Sequence, residues 1–208
     1  MNSWKSYTLL SVTYVLLLFL SDYFLLSDDL LFDFFNNQYS EQLANRLLGD
    51  SKEWKWLSYL LAPVFLGLRI FLVSVCFSIG VFVINIQVPF KNLLNISILG
   101  EYTLLVVPAI KLIWFGIVDL NYNFEDLQYF SPLSIFSLFD PEDIEPWLIY
   151  PFQLLNVFEI LYWCALAYQL KNILNRDFAG SFAFVASTYG VGLLLWVIFV
   201  MFLTVSIT

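Results

Sequence analysis

The chain has 208 residues, 61% of them hydrophobic and 12% charged, with a formal net charge of −8 and no histidine. A soluble domain carries about twice that charged fraction, so the composition points away from water and into a bilayer. The missing histidine excludes His-ligated haem, His-based zinc sites and His general bases, and the lack of a basic patch excludes a nucleic-acid partner.

Five apolar runs, at about 7–26, 57–84, 93–118, 147–170 and 181–205, are each long enough to cross a membrane, which takes roughly 20 residues. They are continuous rather than alternating, so the expected fold is all-α: a polytopic transmembrane bundle forming one integral membrane domain over 1–208, not a barrel. The first run, with Lys5 ahead of an apolar centre, has the outline of a signal peptide. The SDYFLLS that follows offers no small-x-small cleavage site, so it reads as an uncleaved first span carrying one interfacial charge, Asp22.

Residues 28–56 form a long connection. Ser27 is placed to cap a short helix over LLFDFF. Ser40 is placed to cap SEQLANRLL, an amphipathic helix lying on the membrane surface or packed on the rest of the loop, which Gly49 would end before Asp50 or Ser51 caps the next one. The second span, over 57–84, starts behind the interfacial aromatics Trp54, Trp56 and Tyr59 and contains Pro63 and Arg69. A short turn with Pro89 and Lys91 leads to the third span, 93–118, which carries Glu101, Pro108 and Lys111.

The second long connection, 119–146, holds seven carboxylates and no Lys or Arg. Asn123 is placed to cap NFEDLQYF, and Ser131-Pro132 to start a helix over PLSIFSLF that is too short to span and so either dips into the interface or covers the bundle. The fourth span, 147–170, contains Pro151, Asn156 and Glu159. The fifth, 181–205, has neither charge nor proline but has small residues at helical spacing, among them Ala183, Ser187 and Gly190, which point to close helix packing. Cys76 and Cys164 both fall inside apolar runs and read as free thiols.

The N-terminal tail and the turns at 85–92 and 171–177 hold Lys5, Lys91, Lys171 and Arg176 against one acid, while the long connections hold three basic residues against thirteen acids. The positive-inside rule then puts the N-terminus in the cytoplasm and the C-terminus outside. In that arrangement Arg69 and Glu159 lie at nearly one depth, which predicts an Arg69–Glu159 pair with Asn156 as an added partner. Glu101 lies deeper and takes either Arg69 or a neutralising proton. Lys111 snorkels outward toward Asp119 or the acidic cap. Pro63, Pro108 and Pro151 all fall in the outer half, where kinks at one level would open a vestibule. This polar core is either a staple for the bundle or the wall of a ligand path.

No nucleophile elbow, zinc-binding helix or phosphate loop is present, so no catalytic residue, cofactor or metal is expected. The Gly100-Glu101-Tyr102 and Thr188-Tyr189-Gly190 steps, set in a five-span pattern with short inner turns, resemble the Yip1-domain family of small membrane proteins. That resemblance implies a non-catalytic bundle that recruits or organises other membrane components, with other membrane proteins or a second copy as partners. A different reading is a small transporter subunit or permease using Arg69, Glu101 and Glu159. Abundant Phe and Asn with sparse Arg and Ala place the chain in a bacterial inner membrane.

Overall fold

The computed structural model describes residues 3–207. Among these the regular structure is helical, without a strand. Four helices are long and apolar enough to cross a membrane: Ser3–Leu25, Glu41–Val83, Phe90–Val118 and Phe178–Ser206.

After α1 (Ser3–Leu25), Ser27 caps α2 (Asp28–Gln38) by accepting from the Leu30 N–H at 3.2 Å. Helix α3 then runs unbroken over Glu41–Val83. The expected stop at Gly49 does not occur. The Ser51 hydroxyl donates back to the Leu48 carbonyl at 2.8 Å instead of capping a new helix. One exposed glycine costs about 1 kcal/mol, less than ending a helix and nucleating another. At ~1.5 Å per residue α3 is about 64 Å long, roughly twice the hydrocarbon thickness, so only part of it lies within the apolar layer.

The third run is not one regular helix. It is α4 (Phe90–Glu101), a 3₁₀ turn (Tyr102–Leu105), α5 (Val106–Ile113) and a π turn (Trp114–Val118). Pro108 accounts for the first irregularity. Its ring would strike the carbonyl four residues back, at Leu104, and the tighter turn around that residue relieves it. In the second connection, Asn123 and Asp126 form a reciprocal capping box on α6 (Phe124–Tyr129).

The stretch after Ser131-Pro132 does not form the expected helix beyond a single 3₁₀ turn at Phe136–Leu138. Leu133 takes a left-handed backbone (φ 57°), and Ser134 pairs with Asn156 in an antiparallel bridge. Ile135 donates to the Leu155 carbonyl at 3.0 Å and Val157 to the Leu133 carbonyl at 3.1 Å. The same bridge marks where the fourth apolar run breaks. It forms α7 (Pro146–Leu154) and α8 (Val157–Leu174) rather than one helix. Asn175, left-handed at φ 51°, closes α8. Asp177 then caps α9 (Phe178–Val185), which passes through a π turn at Ala186–Gly190 into α10 (Val191–Ile207).

The chain divides into two compact units: Met1–Tyr7, Leu68–Leu104 and Ser131–Thr208 in one, Thr8–Gly67 and Leu105–Phe130 in the other. The first is built on a core of Phe77 and Val81 from α3, Leu93 from α4, Tyr162 and Leu166 from α8, and Phe184 from α9. Ser74 and Ser97 hydrogen-bond each other at 3.0 Å within it. The second centres on Leu25, Phe115 and Leu127. There Asp22 accepts from the Tyr59 hydroxyl at 2.7 Å and lies 3.6 Å from the Lys55 ammonium.

Close approaches in the first unit fall on glycines. A Cβ on Gly80 would collide with Thr188 and the Phe184 ring, one on Gly100 with Leu166, and one on Gly190 with the Trp163 ring. Ala183 and Ser187, expected in the packing stripe, are instead exposed. The π turn explains the difference. It rotates the helix face, so Gly190 packs against Trp163 while Ala183 and Ser187 share the outward side. Gly80→Ala is therefore expected to destabilise by about 1–3 kcal/mol through overpacking. Gly49→Ala, with nothing within 4 Å of the added methyl, should stabilise by up to about 1 kcal/mol. Denaturation of both variants in detergent, followed by circular dichroism, checks the pair.

Candidate functional site

Four elements of the first unit bring polar groups to a common point. Arg69 comes from the regular middle of α3, six residues after Pro63. Glu101 is the last residue of α4, where the helix tightens. Glu159 sits in the first turn of α8, directly after the break. Tyr189 comes from the π turn between α9 and α10. Apart from Arg69, every one of these positions is a helix irregularity.

The guanidinium of Arg69 lies between the two acids. Its Nε is 3.3 Å from Glu101 Oε1, and its Nη2 is 3.8 Å from Glu159 Oε2. Neutral donors complete the shell. Tyr162 Oη donates to Glu101 Oε1 at 3.0 Å. Trp163 Nε1 and Tyr189 Oη both donate to Glu159 Oε1, at 2.9 and 2.7 Å. Arg69 also stands over the Tyr162 ring, 5.4 Å from its centroid, and the Tyr162 and Tyr189 rings meet edge to face. The Glu101 side chain is 2% exposed and that of Glu159 10%, while the Arg69 side chain is 43% exposed. Opposite charges in such surroundings attract far more strongly than in water, and this attraction is what offsets their desolvation.

Asn156 is close by but plays another part. Its Oδ1 accepts from the Glu159 N–H at 2.8 Å, making it the N-cap of α8. Its amide donates to the Gln153 and Leu154 carbonyls. It positions Glu159 through the backbone instead of contacting the charges. The expectation of a direct partner fails because the fourth run is broken there, which puts Asn156 outside the helix.

Lys111 is separate from the cluster, in the second unit. It reaches toward the acidic connection, as a snorkelling lysine should, but donates to the Leu127 carbonyl at 2.7 Å and not to a carboxylate. The C-terminal part of the short α6 offers unpaired carbonyls that suit a cation. Asp119, one of the two alternatives expected for it, accepts from the Asn121 N–H at 3.3 Å. Of the three prolines, Pro151 lies inside α7 shortly before the break, and Pro108 follows the 3₁₀ turn. Pro63 lies within the uninterrupted α3, which carries no break there.

Tyr162, Trp163 and Tyr189 are the members of the cluster that composition and depth did not single out. One of them had a signal: Trp163 stands four residues after Glu159, the spacing at which helix side chains meet, whereas Tyr162 bonds to Glu101 of α4. Tyr189 had none, since its direction depends on the π turn. Among the described residues no three His, Cys, Asp or Glu side chains group as a metal site would require. No family model, curated protein or solved structure matches the chain.

Removing one acid leaves Arg69 with a single partner. Glu101→Ala should cost about 3 kcal/mol, the low end for breaking a buried pair because the guanidinium is partly exposed. Tyr189→Phe, which leaves Glu159 its indole donor, should cost only about 1 kcal/mol. Urea or SDS unfolding in mixed micelles ranks the two; equal losses would contradict the geometry.

Proposed function

We propose that the chain is a non-catalytic integral membrane protein of the accessory or scaffold type, in which the Arg69 cluster fixes the helix arrangement that partners recognise. The observation that carries this is that the cluster's charges are spent on one another. Glu159 Oε1 is taken by two donors, and both carboxylates face the same guanidinium. Groups that satisfy one another in this way serve assembly; a substrate-binding site keeps donors or acceptors free for its ligand. The five-span resemblance to the Yip1-domain family agrees with such a role, with other membrane proteins or a second copy as partners.

In this reading α7 and α8 together supply a further crossing, giving five, with the N-terminus cytoplasmic and the C-terminus outside in a bacterial inner membrane. The support is the packing of α8 along α9 and of α7 along α10, together with the basic short turns.

A permease is the second reading, favoured by one specific feature. Two carboxylates against one guanidinium leave an excess acid when both are ionised, beside a side chain that is 43% exposed. A site of that kind can take up a proton or a cation in transit.

Purification in mild detergent followed by native mass spectrometry should show the chain with another membrane protein or a second copy. Glu101→Gln should leave that association in place. The chain alone, reconstituted in vesicles and driving a pH- or cation-dependent dye response that Glu101→Gln abolishes, would establish the permease instead. Reporter fusions at the two termini should give a cytoplasmic signal at the first and an extracytoplasmic one at the second.

A further inference from the structure

Residues 131–139 are largely apolar, form no α-helix, and expose Leu133, Ile135, Leu138 and Phe139. Their backbone pairs with Leu155–Val157, the break inside the fourth apolar run. The level of that break can be read from the helix beside it. On one side of it, Glu159 of α8 is reached by Tyr189. On the other, Tyr150 of α7 accepts from Trp196 of α10 at 2.9 Å. The break therefore lies between the levels of Tyr189 and Trp196. Beyond Trp196, α10 continues to Ile207 through VIFVMFLTVSI, a further ~16 Å of apolar helix at about 1.5 Å per residue. A bilayer that covers this stretch of α10 also covers the break and whatever is paired with it.

The segment meets much of what that position demands, the buried Ser131 hydroxyl, which has no hydrogen-bond partner among the described residues, excepted. In hydrocarbon every backbone polar group needs a partner within the protein. Here Ile135 and Val157 donate across the bridge, Leu138 donates to the Ile135 carbonyl, and Phe139 to the Phe136 carbonyl. The Ser134 and Ser137 hydroxyls are likewise used locally, on the Ser131 and Ser134 carbonyls at 2.6 and 2.7 Å. Side chains sort by direction. Ser134 and Phe136 are buried, while Leu133, Ile135 and Leu138 are exposed, at 63%, 39% and 79%. Carboxylates begin at Asp140, where the chain turns to re-enter α7.

We propose that residues 131–139 form a re-entrant segment that enters the bilayer beside α7 and presents Leu133, Ile135 and Leu138 to lipid acyl chains. Its occupant is lipid, because the side chains it exposes at Leu133, Ile135 and Leu138 are all apolar and because the apolar surface of α10, with Leu194 and Leu203 also exposed, extends past its level. The inference stands apart from the accessory or permease reading, since it needs only that α9 and α10 cross the membrane. It also gives the segment a structural task. By holding Asn156 at the bridge, it keeps the cap that orients Glu159.

Nitroxide labels test this in vesicles of phosphatidylcholine and phosphatidylglycerol. Single cysteines at 133, 135 and 138, in a chain with Cys76 and Cys164 replaced by Ala, are compared with labels at Leu194 and Leu203 and at Asp143 and Glu145. Collision with oxygen should exceed collision with a water-soluble nickel chelate several-fold at the three segment positions, as at Leu194 and Leu203. The order should invert at Asp143 and Glu145. Nickel-dominated collisions at 133 and 138 would overturn the proposal by placing the segment in water. Labels shielded from both reagents would overturn it too, by showing a protein cover. The unsubstituted chain gives a check free of folding defects: photoactivated acyl-chain diazirine lipids should crosslink within 131–139, and crosslinking confined to α10 would contradict it.

Discussion

A single guanidinium held between two carboxylates in apolar surroundings is the constraint on which the first unit depends. Moving an ion into such surroundings costs several kcal/mol after relaxation, and only a well-placed counter-charge with further hydrogen bonds makes up that loss. Arg69 supplies the counter-charge to Glu101 at 3.3 Å and to Glu159 at 3.8 Å. Tyr162, Trp163 and Tyr189 supply the remaining donors. These side chains come from α3, α4, α8 and the α9–α10 junction, so the four must arrive together. A shift of any of them by a helical turn would leave a charge without its partner.

The backbone departs from regular helix where the cluster needs it. Glu101 precedes a 3₁₀ turn, Glu159 follows a break, and Tyr189 occupies a π turn. Hydroxyls accompany these departures. Thr188 donates to the Phe184 carbonyl at 2.7 Å and Ser187 to the same carbonyl at 3.1 Å, so the widened turn keeps its acceptor satisfied. Irregular helices in a membrane persist where neighbours satisfy the freed groups. The bridge at Ser134–Asn156 does this for the break between α7 and α8.

Long apolar runs made the helices legible, because continuous hydrophobicity leaves few other structures in a bilayer. Three of the five expected spans coincide with helices able to cross, and the second lies within the longer α3. The break in the fourth was hidden by its flanks, which are as apolar as any span. It did leave a trace in Asn156-x-x-Glu159, the spacing of an N-cap with an acid at the third helical position. Read that way, Asn156 would have been placed at a helix start and not beside the charges. Pro108 announced its own irregularity, but the π turns at Trp114–Val118 and Ala186–Gly190 have no residue signature. The second defeated the small-residue stripe: Ala183 and Ser187 face outward, and the close approaches pass to Gly80, Gly100 and Gly190. Depth served the charges in part: it paired Arg69 with Glu159, which lie 3.8 Å apart, but set Glu101 deeper, whereas Glu101 is nearer to Arg69 at 3.3 Å.

A double-mutant cycle between Arg69 and Glu159 reads the central interaction most directly. Arg69→Met, Glu159→Gln and the combined variant are unfolded in mixed micelles and compared with the parent chain. The account predicts a favourable coupling of about 1–3 kcal/mol, the range for residues sharing one charged network. Losses that add to within about 0.5 kcal/mol would mean the two side chains act independently, and the ionic cluster would not be what holds these helices together.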